Sequence, residues 1–255
     1  MKNILEAKRI NKVYEMSKGN LQQVLRNVDI SVGEGEFVSV MGASGSGKST
    51  LLYNISGMDK ATSGNIKFCG MELTAMSQDA LSALRLQKMG FIFQQSNLLK
   101  NLNILDNIIL SAFMSKDESR RVIVERAKKL MSRTGISALA NNDITQASGG
   151  QLQRVAICRA LINNPDIVFG DEPTGALNSK ATGEIMDILA GINQSGTTIM
   201  LVTHDAKVAA KTERVLFMED GVISGEKRLG KYQPGSSDLR ERENRLSSWL
   251  TKLGF

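Results

Sequence analysis

Gly42-Ala43-Ser44-Gly45-Ser46-Gly47-Lys48-Ser49 is the stretch whose reading decides the fold. It satisfies every fixed position of the pattern G-x-x-x-x-G-K-[ST]. Phe37-Val38-Ser39-Val40-Met41 precedes it, an apolar and β-branched run that reads as a buried strand. Ser49-Thr50-Leu51-Leu52 follows as a first helical turn. A strand, a glycine-rich loop and a helix start make an anion trap, because free backbone N–H groups and the helix dipole both favour negative charge there. The glycines let the backbone approach a ligand with no Cβ in the way. Lys48 can then reach the β- and γ-phosphates of a nucleotide, and the Ser49 hydroxyl can ligate Mg²⁺.

The 255 residues are enough for one or two domains with a sizeable core. A hydrophobic share of 42% and a mean hydropathy of −0.14 indicate a soluble globular chain. No apolar run approaches the ~18 residues of a membrane span, and the first twenty residues alternate charged and apolar types, unlike a signal peptide. Cys69 and Cys158 make no metal spacing; both read as small buried hydrophobes in a reducing, cytosolic compartment. The net charge of +6 suits phosphates, an anionic membrane surface or nucleic acid and does not choose among them.

Taken in order, residues 1–13 read as a strand, Tyr14 follows it, and Ser17-Lys18-Gly19-Asn20 reads as a turn. Strands are expected over 24–32, 37–41, 65–68 and 89–93, and helices from the phosphate loop to about Ser56 and over 77–87. From about 95 to 162 apolar residues recur at helical spacing, as in Ile104, Ile108, Ile109 and Val122, Val124, Ala127, Leu130, Met131. This reads as an inserted helical subdomain, with the charges over 116–133 on a solvated face. A helix is expected from about Leu152 to Ile162. Strands return at 166–170 and 197–203, separated by a helix over 180–192. Asp220-Gly221 between 215–218 and 222–224 signals a hairpin. Alternating strands and helices imply an α/β core around a mostly parallel sheet. Residues 236–253 form a possible helix with Leu239, Leu246, Trp249, Leu250 and Leu253 on one side, facing a partner, a membrane surface or the chain's own domain.

Asp171 and Glu172 close an apolar strand. The first can hold Mg²⁺ opposite Ser49, and the second can orient or deprotonate an attacking water. An Asp-Glu pair alone is a weak signal; downstream of a complete phosphate loop it is stronger.

These residues resemble the ATP-binding-cassette (ABC) ATPases. Residues 42–49 resemble the Walker A motif, and 167–172 the Walker B motif. Ser148-Gly149-Gly150-Gln151 is similar to the signature sequence, just ahead of Gln153-Arg154-Val155-Ala156. His204, the only histidine, matches the switch histidine, Gln94 the glutamine between core and helical subdomain, and Tyr14 the aromatic ring against adenine. The resemblance covers residues 4 to 225. It implies a P-loop NTPase core of ABC type with a mostly parallel central sheet, an N-terminal antiparallel β portion and an inserted helical subdomain. The ATPase domain would span 1–225, with core 1–94 and 163–225 and helical subdomain about 95–162. A basic accessory segment, 226–255, would follow.

The resemblance also implies roles. Gly42, Ala43, Ser44, Gly45, Ser46, Gly47, Lys48, Ser49, Thr50 and Tyr14 would hold ATP. Ser49, Gln94 and Asp171 would hold Mg²⁺. Glu172 and His204 would be catalytic. Two copies would sandwich two ATP molecules head-to-tail, with Ser148, Gly149, Gly150 and Gln151 of one capping the γ-phosphate held by Lys48 of the other. Ser148 and residues 149–151 are expected to precede a helix and so to offer a second anion-binding terminus.

Two positions depart from the pattern. Ala147 stands where the signature begins with Leu, which bears on packing. Asn178 ends a loop that ordinarily ends in Asp, which bears on coupling across the dimer and on rate. Among cassette classes, a DNA-repair type would need a long coiled coil in the insert, and a translation-factor type two cassettes in one chain. A soluble cassette acting on nucleic acid or ribosomes is the non-transport alternative, and no nucleic acid is expected as a partner. The resemblance therefore implies a subunit of a membrane transporter, cytoplasmic and peripheral on the inner face, powering a transmembrane permease. Gly90-Phe91-Ile92-Phe93-Gln94, Asn97-Leu98-Leu99 and residues 171–177 resemble the macrolide-exporter and lipoprotein-release group; the length and the Met41-Gly42-Ala43-Ser44-Gly45-Ser46-Gly47-Lys48 context are most similar to its bacitracin-resistance type. Those ATPases serve antimicrobial peptide resistance with a large permease and often a sensor kinase. Residues 96–102 would meet the permease or simply pack the subdomain.

Overall fold

The computed structural model describes residues 2–16, 19–115 and 118–255. Strands Asn3–Glu15 (β1), Leu21–Gly33 (β2), Ser63–Phe68 (β4) and Met71–Glu72 (β5) form an antiparallel sheet in the order β2-β1-β4-β5. Strands Phe37–Met41 (β3), Met89–Phe93 (β6), Ile167–Asp171 (β7), Thr198–Val202 (β8), Arg214–Glu219 (β9) and Val222–Arg228 (β10) form a second sheet in the order β10-β9-β3-β8-β7-β6. All of its pairings are parallel except the β9–β10 hairpin.

Side-chain alternation explains why the inner strands of this sheet are apolar on both faces. β7 turns Ile167 and Phe169 to one face and Val168 to the other; β8 turns Met200 and Val202 to the first face and Ile199 and Leu201 to the second. The first face packs on helix Lys48–Ile55 (α1) and the inner side of the antiparallel sheet, through Leu51, Leu52 and Ile55. The second packs on helices Gly149–Leu161 (α5) and Ser179–Gln194 (α6). A sheet covered on both faces needs near-continuous hydrophobic strands. Burying each large apolar side chain stabilises by roughly 1.5–3 kcal/mol, so a register slip is costly on both sides at once.

Helix Gln78–Lys88 (α2) leads into β6. Helices Ile104–Ser115 (α3) and Arg120–Arg133 (α4) pack with α5 around a separate apolar cluster that includes Ile108, Ile123, Met131 and Cys158. Helix Ala206–Ala209 (α7) and helix Leu239–Lys252 (α8) form a fourth cluster with β9, through Ala210, Phe217, Leu246 and Leu250. The amphipathic carboxyl-terminal segment thus folds back on its own domain.

Several expectations are adjusted. β1 runs to Glu15, so Tyr14 lies inside the strand, paired with Gln22. Helix α5 begins at Gly149 rather than near Leu152: only Ser148 precedes it, as its cap, because a serine followed three residues on by glutamine closes a capping box. Cys158 is buried, but Cys69 is exposed in the turn between β4 and β5, where its φ is 49°; both are free thiols. β10 continues past residue 225 to Arg228. Ser17 and Lys18 of the first expected turn, and Lys116 and Asp117 of the charged run, lie outside the described residues.

Candidate active site

The strand order builds the site. β8 lies between β3 and β7, and the three are parallel, so the loops after them open at the same sheet edge. The loop after β3 is the phosphate loop, the one after β7 carries Glu172, and the one after β8 carries His204. His204 therefore stands between the other two. Two backbone bonds hold the loops together: Glu172 N–H donates to Val202 O at 3.0 Å, and Thr203 N–H to Val40 O at 3.1 Å. Glu172 adopts φ 47°, a left-handed conformation costly for a residue with a Cβ and typical of functional sites.

A cleft of about 750 Å³ opens here, a volume typical of small-molecule sites. The phosphate loop lines its floor through Gly42, Ala43, Ser44, Gly45, Gly47, Lys48, Ser49 and Thr50. Tyr14, Gln22 and Val24 form one wall; Glu172, His204 and Phe255 also line it. Gly47 caps α1 in the left-handed region, φ 100°, with no side-chain hydrogen bond. The first helical bond is Leu51 N–H to Gly47 O, at 2.8 Å. The N–H groups of Lys48, Ser49 and Thr50 precede it and point out of the helix end. The Ser46 hydroxyl is buried with no partner, and Ser46 is not among the residues lining the cleft. Lys48 Nζ bends onto Gly42 O and Ala43 O at 2.9 and 2.7 Å. Burial holds its pKa below the ordinary 10.5, against the opposing pull of Glu172 and Asp171. An open helix terminus and a desolvated cation fit a polyphosphate.

The loop is also sewn to the hairpin behind it. Gly221 N–H donates to Ser46 O at 3.1 Å, and Gly221 O accepts from Arg26 N–H at 2.9 Å. A Cβ on Gly42 would meet Met218 O at 2.0 Å, and one on Gly221 would meet Val24 O at 2.2 Å, so both must be glycine.

Asp171 lies beneath the cleft. Its Oδ1 accepts from Ser49 Oγ at 2.8 Å and its Oδ2 from Tyr53 OH at 2.5 Å. Burial and that bond push the Tyr53 phenol up to about 12, so it remains a donor. With its proton directed at a carboxylate, the Ser49 hydroxyl turns its lone pairs elsewhere, as a hard cation requires. Among the described residues no three His, Cys, Asp or Glu side chains form a metal cluster. Mg²⁺ bound beside Ser49 and Asp171 would take its remaining oxygens from phosphates and water, and would neutralise charge on the β- and γ-phosphates.

His204 Nδ1 lies 2.9 Å from Glu172 Oε1. A carboxylate only accepts, so Nδ1–H is the donor and Nε2 is left free for another group. Gln94 follows the β6 residue paired with Asp171. A Cβ on Gly175 would meet Gln94 Nε2 at 2.9 Å and Glu172 Oε2 at 3.1 Å, so Gln94 and Glu172 flank the same glycine. Tyr14 OH donates to Asp59 Oδ2 at 2.7 Å, and Lys12 Nζ sits 4.5 Å from its ring centroid. Burial first, then the Asp59 bond, raises the Tyr14 pKa.

Ser148, Gly149, Gly150 and Gln151 do not line the cleft. They start α5 elsewhere, with Ser148 Oγ accepting from Gln151 N–H at 3.4 Å and Ser148 N–H donating to Gln151 Oε1 at 2.8 Å. Ala147 packs into the helical cluster. Asn178 Oδ1 accepts from Ala181 N–H at 2.9 Å and caps α6, a bond Asp would make equally well. Sequence reading missed Gln22, Val24, Phe255, Tyr53 and the Lys12–Asp59 support of Tyr14. Only Tyr53 left a trace, one helical turn after Ser49.

The phosphate loop, the two carboxylates at the end of β7 and the histidine after β8 together define a nucleotide-hydrolysing P-loop cassette. The chain belongs to the ABC transporter family, whose profile matches residues 25–175. It is 43% identical over 222 residues to the macrolide export ATP-binding/permease protein MacB of Aggregatibacter actinomycetemcomitans, a match covering 87% of this chain and 34% of that one. It is 43% identical over 221 residues to the bacitracin export ATP-binding protein BceA of Halalkalibacterium halodurans, covering 86% and 87%. The chain thus spans about a third of the macrolide relative's length. Among solved structures it is similar to the dimeric ATP-binding cassette MJ0796 in a post-hydrolysis state bound to ADP and Pi. The TM-score is 0.82 and the identity 39%, covering 89% of this chain and all of that one. It is also similar to cbiO1 of Clostridium perfringens, part of the ABC transporter complex cbiONQ, with TM-score 0.79 and 26% identity, covering 100% and 98%.

Proposed function

We propose that this cassette binds and hydrolyses ATP with Mg²⁺ as an ATP-dependent homodimer and drives a transmembrane permease, in service of antimicrobial peptide resistance or export. The observation that carries the reading is the division of the site. One chain supplies a complete cradle for phosphate, with Glu172 and His204 beside it, while its signature residues stand at a different helix start, outside the cleft. A second copy supplies that missing wall. Lys48 and the N–H groups of α1 hold the phosphates, and Tyr14 stacks on the base. Ser49 and Asp171, with Gln94 at the edge, hold the metal. Glu172 takes the proton of the attacking water, and His204 Nε2 holds the γ-phosphate in line.

Residues 96–102 suit a permease contact. Arg159 donates to Ser96 O and Asn97 O at 2.6 and 2.8 Å, and Asn107 ties Leu99 N–H and O at 2.7 and 3.0 Å, while Leu99 itself stays exposed. A fixed backbone presenting an exposed leucine offers a partner helix an apolar contact at little cost in ordering. No helix among the described residues is long and apolar enough to cross a membrane; the reading places the cassette on the inner face of the membrane through its permease, which would also link it to a sensor kinase. The relatives named for bacitracin and macrolide export favour this over a lipoprotein-release role. Co-purification from membrane extract, with ATP turnover measured with and without the captured partner, tests it. A permease that alters turnover is expected; capture of ribosomes or nucleic acid with no membrane protein would sink it.

A further inference from the structure

We infer that helix α8 is a positioning element of the hydrolytic site, with Arg242 holding the one-turn helix that follows His204. Arg242 is 3% exposed. Its Nε donates to Ala210 O at 2.8 Å, its Nη1 to Leu229 O at 2.9 Å, and its Nη2 to Thr212 O and Gly230 O, each at 2.8 Å. Asp238 Oδ2 is 3.9 Å from Nη1. Ala210 is the carboxyl cap of α7; Lys211 and Thr212 N–H pair Val208 O and Ala209 O, and the guanidinium takes the Ala210 carbonyl at the negative end of the helix.

Helix α7 is four residues long, too short to be stable alone; Val208 and Ala209 seat it in the core, and its two ends are tied by side chains. At the amino end Asp205 Oδ1 accepts from Lys207 N–H at 2.8 Å, and His204 immediately precedes Asp205. At the carboxyl end stands Arg242. The clamp continues sideways: the Tyr232 ring lies 5.7 Å from the Arg242 guanidinium and 5.4 Å from Lys211 Nζ, and Lys211 pairs with Asp187 of α6 at 2.7 Å. Burying a guanidinium is costly unless every donor finds an acceptor, and an apolar side chain would pack α8 without that cost. What the buried fork adds is fixed geometry between α8 and the segment after His204.

The far end of α8 reaches the site too. Gly254, at φ 80°, ends the helix with Gly254 N–H to Thr251 O and Phe255 N–H to Leu250 O, both at 3.1 Å. This fixes Phe255, whose ring meets Phe217 edge-on at 5.5 Å and lines the nucleotide cleft. The helix therefore touches the site at the switch histidine's support and at the cleft.

The inference rests on the proposed role of His204, and the test separates the two. In the full chain, Arg242→Lys is expected to lower kcat about tenfold while the half-saturating ATP concentration moves less than about twofold, as for a group that aligns rather than binds. His204→Ala is expected to cripple turnover alone, and adding Arg242→Lys to it to lower the rate no further. If His204→Ala turns over normally, the reading of His204 falls and the inference with it. If His204→Ala is crippled while Arg242→Lys keeps wild-type kcat, or the two losses multiply, the inference alone is overturned. Should Arg242→Lys not fold, amide exchange in the wild-type chain decides: β,γ-imido-ATP is expected to slow exchange in 206–212 and 239–252 together. Protection of 206–212 with none in α8 overturns it.

Discussion

Two helix starts in this molecule are written in nearly the same letters and behave differently. Ser46-Gly47-Lys48-Ser49 opens α1, and Ser148-Gly149-Gly150-Gln151 opens α5. At α1 the cap is a left-handed glycine, and no side chain covers the N–H groups behind it. At α5 the cap is a serine in a reciprocal box with Gln151, and the terminus is partly satisfied from within. The α1 terminus also has Lys48 folded against it; the first turn of α5 has no charged side chain. The same dipole and similar glycines thus yield one terminus that needs a polyanion and one that is content without it. The second suits a group that engages phosphate only when another chain delivers it.

The largest effect that sharpens this contrast comes from freezing both termini on one nucleotide. Glu172→Gln is expected to lower ATP turnover by about 10²–10⁴-fold and to accumulate an ATP-bound dimer on gel filtration; near wild-type hydrolysis would remove Glu172 from its role. Next are the caps themselves. Gly47→Ala forces a Cβ into a left-handed position 3.0 Å from Val24 O, at a cost of roughly 1–2 kcal/mol before the contact is counted, and is expected to weaken ATP binding to the single chain about tenfold or more by nucleotide fluorescence titration. Ser148→Ala should leave that single-chain affinity alone, reduce dimer-dependent turnover, and lower stability by about 1 kcal/mol. Equal loss of single-chain affinity in both variants would erase the distinction.

A smaller effect is set by pH. Lys48 binds phosphate as a cation, and its pKa is held below 10.5 by burial. ATP affinity should therefore fall as pH rises through the lowered value, ahead of an ordinary lysine, with proton uptake on binding in calorimetry. Flat affinity up to 10.5 would contradict it. The smallest effect is at α6: Asn178→Asp keeps the cap bond and adds a negative charge at a helix start, worth about 0.3–1 kcal/mol in stability, and should shift turnover modestly. Identical steady-state kinetics would make Asn178 neutral.

The inner strands β3, β7 and β8 were legible because each is a short apolar run with a chemical residue at or just past its end, and parallel pairing buries both faces. Glu172 and His204 were legible for the same reason: strand ends are countable. Helix starts were less so, since Gly149 and Gly150 read as loop until the Ser148–Gln151 box is seen to enclose them. Cys69 misled because its apolar neighbour Phe68 is buried, whereas the next residue turns outward in a hairpin. Phe255 left no signal, being some two hundred residues from the phosphate loop and brought there by the packing of α8 on Phe217.

The stitching of the phosphate loop to the β9–β10 hairpin has a kinetic consequence. With no room for a Cβ between Gly42 and Met218 O, and with Ser46 O tied to Gly221 N–H, the cradle is held in shape by contacts within the chain, independently of any ligand. A seat shaped in advance in this way leaves little ordering entropy to be lost when a nucleotide arrives. If two copies close on the nucleotide as proposed, the clock of the cycle is expected to lie with the docking and departure of the second chain rather than with the cradle.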